Sequence, residues 1–275
     1  MNAAISNLLP VTGSALPAER IASVAMPRLR VPRAYLIEAK CEFLHMLRAP
    51  MFVIPFLLFP PAIYLFVGLL AAQAMHAHPE IATVMFTGFS VFSIVGPTMF
   101  GVGCPLAIER DAGLLKLKRA QPAPTGAYLI AKTSMAVLFA AISMGSIVIA
   151  ALCTHKLPLP ATQVLEISSL LVIGSVCFCA MGLYIGAHVR GTAAPGITHL
   201  IYLPMLYLSG LFFPLPQVMW KWALIWPAFH LQRLALGIAG LPVPMNVPPA
   251  LSVAYLVAIT VVCGALAIRR LQRVG

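Results

Sequence analysis

The sequence predicts an all-α integral membrane protein. It has six transmembrane helices, an amino-terminal amphipathic interfacial helix before them, and a re-entrant helical hairpin between spans five and six. Three observations carry that prediction. Of the 275 residues, 61% are hydrophobic and only 9% charged, where a soluble domain carries about 25% charged residues. The apolar residues gather in runs of the ~20 that a helix needs to cross the hydrocarbon layer. The bases occupy the short segments between those runs, with fifteen on one side and three, Lys156, Lys221 and Arg233, on the other. Positive-inside topology then puts both termini in the cytoplasm.

The formal net charge of +11 follows from these loops and suits contact with anionic membrane lipids. No interleaving of aromatic and basic residues points to a nucleic acid, and none is expected as a partner. The six cysteines, Cys41, Cys104, Cys153, Cys177, Cys179 and Cys263, have neither zinc-site nor disulfide-framework spacing. They read as small buried hydrophobes.

Residues 1–32, with four prolines and scattered arginines, read as a flexible cytoplasmic tail ahead of a transmembrane domain over 33–275. From about Arg33 to Ala49 apolar Leu36, Ile37, Leu44 and Leu47 alternate with Glu38, Lys40, Glu42 and Arg48. That spacing predicts an amphipathic helix on the inner membrane surface. Span one follows over about 51–72, with Pro55, Pro60 and Pro61 set to kink it. An outer loop carries His76, His78 and Glu80, too few ligands for a metal, and no metal site is expected. Span two, about 81–106, is rich in Gly88, Gly96, Gly101 and Gly103 with hydroxyl residues between, the composition of close helix packing.

Span three runs over about 128–153, with Lys132 one turn in and set to snorkel back to the surface. Span four covers about 163–187, with Glu166 at its wet outer end, and span five about 192–213. Prolines and glycines then divide the next stretch around Trp220, Trp222 and Trp226, an interfacial aromatic cluster. It reads as short helices dipping into the outer leaflet over about 214–240. Span six, about 250–268, ends on Arg269, Arg270 and Arg273.

Between spans two and three charges crowd together: Glu109, Arg110, Asp111, Lys116, Lys118 and Arg119. With acids first and bases last, they predict a short dipole-matched helix over about 109–121, stopped by Pro122 and Pro124. Leu114, Leu115 and Leu117 give it an apolar side. Such a helix presents a docking surface to a soluble partner; the plainer alternative is a basic loop that only fixes topology.

No glycine precedes any lysine, so the chain holds no Gly-x-x-x-x-Gly-Lys-Ser/Thr phosphate loop, and no catalytic constellation appears. The spans lack the mid-membrane acid or base of ion-coupled carriers. A multi-span protein without its own engine suggests an engine on a partner.

The order of parts resembles the ABC-2-type transporter permeases, the membrane subunits of ATP-driven exporters. The resemblance rests on Glu109-Arg110-Asp111-Ala112-Gly113-Leu114-Leu115-Lys116-Leu117-Lys118, similar to that family's Glu-Arg-Glu-x-Gly-Thr-Leu-x-x-Leu signature, with Asp111 and Leu114 as departures. Ser209-Gly210-Leu211-Phe212-Phe213-Pro214 and Pro227-Ala228-Phe229-His230 resemble two further family motifs around the re-entrant region. The resemblance implies that Glu109, Arg110, Asp111, Gly113, Leu114 and Leu117 couple to a soluble ATP-binding cassette ATPase subunit. ATP and Mg would belong to that subunit, with no cofactor in this chain and no enzyme activity of its own. It implies a second permease copy, giving a homodimer in the cell inner membrane. Tyr64, Ser90, Ser93, Tyr202 and Tyr207 would face the substrate route. Few fixed charges along it favour an amphiphilic or hydrophobic cargo of the drug, lipid or lipid-linked glycan class. A self-sufficient ion-gradient-driven carrier or channel is the alternative, and a lipid-acting enzyme built on His45, His188, His199 and His230 a third.

Overall fold

Every backbone polar group in hydrocarbon must find its partner inside the protein, and the long apolar runs accordingly form helices. The computed structural model describes residues 30–71, 78–120, 127–154, 157–212, 216–242 and 247–274. Among them the chain is all-helical, with no strand. The expected tail up to residue 29, His76, Gln121, Pro122, Pro124 and Pro214 lie outside the described residues.

Helix α1 (Arg30–Leu47) leads into α2 (Pro50–Leu70), whose prolines open one wide π turn over Ile54–Leu58 without ending the helix. Then come α3 (Pro79–Asp111), α4 (Leu114–Ala120), α5 (Ala127–Thr154) and α6 (Ala161–His188). After α7 (Ala194–Leu208) a 3₁₀ turn (Gln217–Met219) leads to α8 (Trp220–Ala223), α9 (Pro227–Ile238) and α10 (Pro249–Val274). Among the described residues five helices are long and apolar enough to cross a membrane: α2, α3, α5, α6 and α10. The expected span over 192–213 is instead the 15-residue α7, which stops at Leu208. It stops because Gly210 turns the chain with φ +69°, a conformation that glycine adopts without a Cβ clash.

Helix α3 is the axis of the molecule. In its most apolar stretch 78% of residues are buried, against 11% in α2 and 17% in α10, so α2 and α10 lie outermost. Its main neighbour is α6, and the two backbones nearly touch. A Cβ on Gly182 would sit 2.7 Å from the Met99 carbonyl oxygen, and one on Gly186 2.7 Å from that of Gly103. Gly96 and Gly101 instead leave room for the rings of Phe56 and Phe52 from α2. The glycine-rich pattern of span two is thus spent on packing, against two different helices.

Candidate functional site

Two features stand out, a charged junction at the basic end of α3 and an aromatic cleft nearer its other end.

The junction corrects the expected helix over 109–121. The α3 helix continues through Asp111, and the chain then turns at Ala112–Gly113, where Gly113 has φ +75°. The separate helix α4 starts only at Leu114. Glu109, Arg110 and Asp111 therefore cap a transmembrane helix, and each is held by other parts of the same chain. Glu109 accepts a hydrogen bond from Lys132 Nζ at 2.9 Å through Oε1 and a short one from the Tyr128 hydroxyl through Oε2. Lys132 also donates to Glu42 Oε2 of α1 at 3.0 Å. Its side chain is 0% exposed, so it does not snorkel: two carboxylates meet the ammonium inside the protein, and the Tyr128 ring lies 4.9 Å from it. This cluster ties α1, α3 and α5 together.

Arg110 works in the other direction. Its guanidinium donates to the carbonyls of Gly186 at 3.0 Å and Val189 at 2.9 Å, and to Asp111 Oδ1 at 2.7 Å. Those carbonyls are among the unpaired acceptors at the end of α6, where the helix dipole favours a cation. Asp111 Oδ2 accepts from the Gly191 amide at 2.7 Å, and Gly191 must be small because a Cβ there would lie 2.9 Å from the Ile108 Cα. The Glu-Arg-Asp run thus fastens the end of α3 to α1, α5 and the α6–α7 turn. What faces outward is α4: Leu117 is 63% and Leu114 43% exposed, and Lys116 is exposed beside them.

The aromatic cleft, about 820 Å³ in volume, opens between α2, α3 and α7. Phe89, Phe92 and Phe100 line it from α3, Phe56 and Phe59 from α2, and Phe212 from the turn after α7. The first three fall on one helical face. Of the residues expected along a substrate route, Ser93, Tyr202 and Tyr207 line the cleft. Tyr64 and Ser90 do not. Tyr64 is buried edge-on against Phe89, with centroids 5.7 Å apart, and Ser90 lies in the closed interior of α3. His199 lines the cleft too, its ring 4.5 Å from that of Phe100. These residues form no motif in the chain; the common helical face of Phe89, Phe92 and Phe100 was the one available signal.

Ser209 and Gly210 form the turn that closes this end of the cleft. A Cβ on Gly88 would fall 2.1 Å from the Leu211 carbonyl oxygen, so the turn seats directly on the α3 backbone. Pro227 starts α9, and His230 pins it. Its Nε2 donates to the Leu224 carbonyl at 2.9 Å, which leaves Nδ1 to accept from the Ser252 hydroxyl at 3.1 Å. His230 thereby ties Leu224, before α9, to Ser252 of α10. His45, His188 and His199 are exposed in separate places.

A family model for the ABC-2 type transporter matches residues 34–239, which includes both the junction and the cleft. No curated protein matches the chain. With a family match over three quarters of its length and five helices fit to cross a membrane, the chain belongs to the ABC-2 type transporter family, as a multi-pass ABC-type permease.

Proposed function

We propose that the protein is the permease subunit of an ATP-driven exporter in the cell inner membrane, working as a homodimer with two copies of a separate ATP-binding cassette subunit. The observation that carries this reading is the junction. A short helix, α4, presents exposed Leu114, Leu117 and Lys116 next to a rigidly fastened helix end. A push on α4 travels through Gly113 into α3 and, through Lys132 and Arg110, into α1, α5 and α6. ATP and Mg stay on the partner, and this chain performs no catalysis of its own.

The 15-residue α7 supplies the sixth crossing together with the turn at 209–212, and the short helices from 217 to 238 form the hairpin dipping into the outer leaflet. Leu36, Ile37 and Leu47 of α1 are exposed and face the inner lipid surface, with both termini cytoplasmic. The cargo is amphiphilic or hydrophobic, because the cleft is walled by rings and, among the described residues, by no acid, lysine or arginine. Its volume lies in the range of ~300–1,000 Å³ of small-molecule sites. Drug, lipid and lipid-linked glycan chemistries all fit that wall.

Replacing Leu114 and Leu117 with aspartate should abolish copurification of the ATPase subunit while membrane insertion and melting temperature stay at wild-type values. Full retention of the ATPase with unchanged transport would overturn the docking role of α4. Ion-driven transport by liposomes holding this chain alone would overturn the exporter reading in favour of a self-sufficient carrier.

A further inference from the structure

A second cavity, of about 490 Å³, lies on the other side of the Phe212 wall, between the start of α3 and α9. Its chemistry differs from that of the aromatic cleft. Arg233, Gln232 and Ser209 line it from within, Trp220 lines its side, and Glu80 stands at the start of α3. Arg233 is buried, and one guanidinium nitrogen donates to the Val247 carbonyl at 2.8 Å. Ser209 is 2% exposed, and its hydroxyl finds no hydrogen-bond partner among the described residues. A buried hydroxyl in that state costs stability until an acceptor arrives. Glu80 is 52% exposed and shares one carboxylate oxygen with His78 Nδ1 at 3.2 Å. Val84, Met85 and Leu236 complete the wall with apolar surface.

We propose that this cavity binds the head group of a zwitterionic phospholipid, with phosphate inward and ammonium outward. The planar donor fork of Arg233 and the Ser209 hydroxyl suit phosphate oxygens. Glu80 and the Trp220 ring suit a cationic head, the first by charge and the second by its π face. The apolar wall takes the first carbons of the chains. A purely anionic head satisfies the inner half and meets a carboxylate at the outer half, so the site discriminates between phospholipid classes. The lipid also has a structural consequence. Ile81, Val84, Met85 and Phe212 belong to both cavities, so an occupied head-group site firms one wall of the aromatic cleft. The proposal requires only that the chain be embedded in a bilayer and stands apart from the export reading.

The test uses the full-length protein, delipidated in detergent, with melting temperature as the readout. Phosphatidylethanolamine should raise it by several degrees, and phosphatidylglycerol at the same mole fraction should raise it clearly less. Glu80→Gln should erase that difference. Ser209→Ala and Arg233→Lys should each weaken the phosphatidylethanolamine response roughly tenfold in the concentration required. If Arg233→Lys fails to fold, the two milder variants decide. Equal shifts by the two lipids in the wild type, an unaltered preference in Glu80→Gln, or an unaltered phosphatidylethanolamine response in Ser209→Ala would overturn the proposal. Soluble glycerophosphoethanolamine should give no shift at the same concentration; a full shift by it would overturn a lipid as the occupant.

Discussion

Lys132 shows how one residue changes meaning between sequence and structure. A lysine one turn inside an apolar run has a stem long enough to return its charge to water. Here the charge turns inward, because Glu42 and Glu109 stand 3.0 and 2.9 Å away. Removing one member of a buried ionic cluster strands the others and costs about 3–5 kcal/mol. Lys132→Met should therefore lower stability by that order in thermal unfolding. Combining it with Glu42→Gln and Glu109→Gln should restore most of the loss, since the triple variant buries no unpaired charge. A single variant as stable as wild type would show that the cluster contributes nothing. Glu42 and Glu109 lie 90 and 23 residues from Lys132, and no local pattern in the chain announces that they converge on it. The partners of Arg110 are carbonyls of Gly186 and Val189, which a sequence cannot flag at all, since every residue has a carbonyl.

At the scale of elements, the glycines of α3 and α6 make a sharper prediction than their number suggests. Gly182 faces the Met99 carbonyl, with a Cβ position only 2.7 Å from it, and neither backbone can yield without moving its helix. Gly182→Ala should destabilise by ~1–3 kcal/mol, the usual cost of overpacking a tight contact. Gly145 in α5 has nothing within 4 Å of its Cβ position. Gly145→Ala should be neutral or stabilising by up to about 1 kcal/mol, as expected for glycine in a helix interior. Equal effects of the two, measured by thermal unfolding, would refute the close crossing. The composition of span two made helix packing legible. It did not reveal that Gly96 and Gly101 serve α2 while Gly103 serves α6. The single helix expected over 109–121 is split for a similar reason. Its charge order suited a single short helix, but Gly113 breaks the run after Asp111, and the three charged residues before it extend α3 instead.

At the scale of the whole molecule the topology is open to direct labelling. In a cysteine-free background, His78→Cys should react with a membrane-impermeant maleimide in intact cells. A cysteine restored at Cys41, which is exposed on α1, should react only after permeabilisation. The opposite pattern would invert the orientation, and reaction of both in intact cells would refute the single crossing by α2 between them. Fifteen of eighteen bases assigned to one side argue for the first outcome.

The membrane class and the approximate bounds of five crossing helices follow from composition and run length alone. So does the position of the charged segment between the second and third runs. Those properties are local: a run of apolar residues must form a helix in lipid whatever surrounds it. Only the tertiary structure decided that Glu109, Arg110 and Asp111 hold the permease together while Leu114, Lys116 and Leu117 of α4 face outward. It also decided that rings from α2, α3 and α7 share one cleft and that Tyr64 and Ser90 are closed off from it. Periodicity tells which face of a helix is apolar, but all faces of these helices are apolar. Which helix covers which face is set by long-range packing, and that is written in no single stretch of the chain.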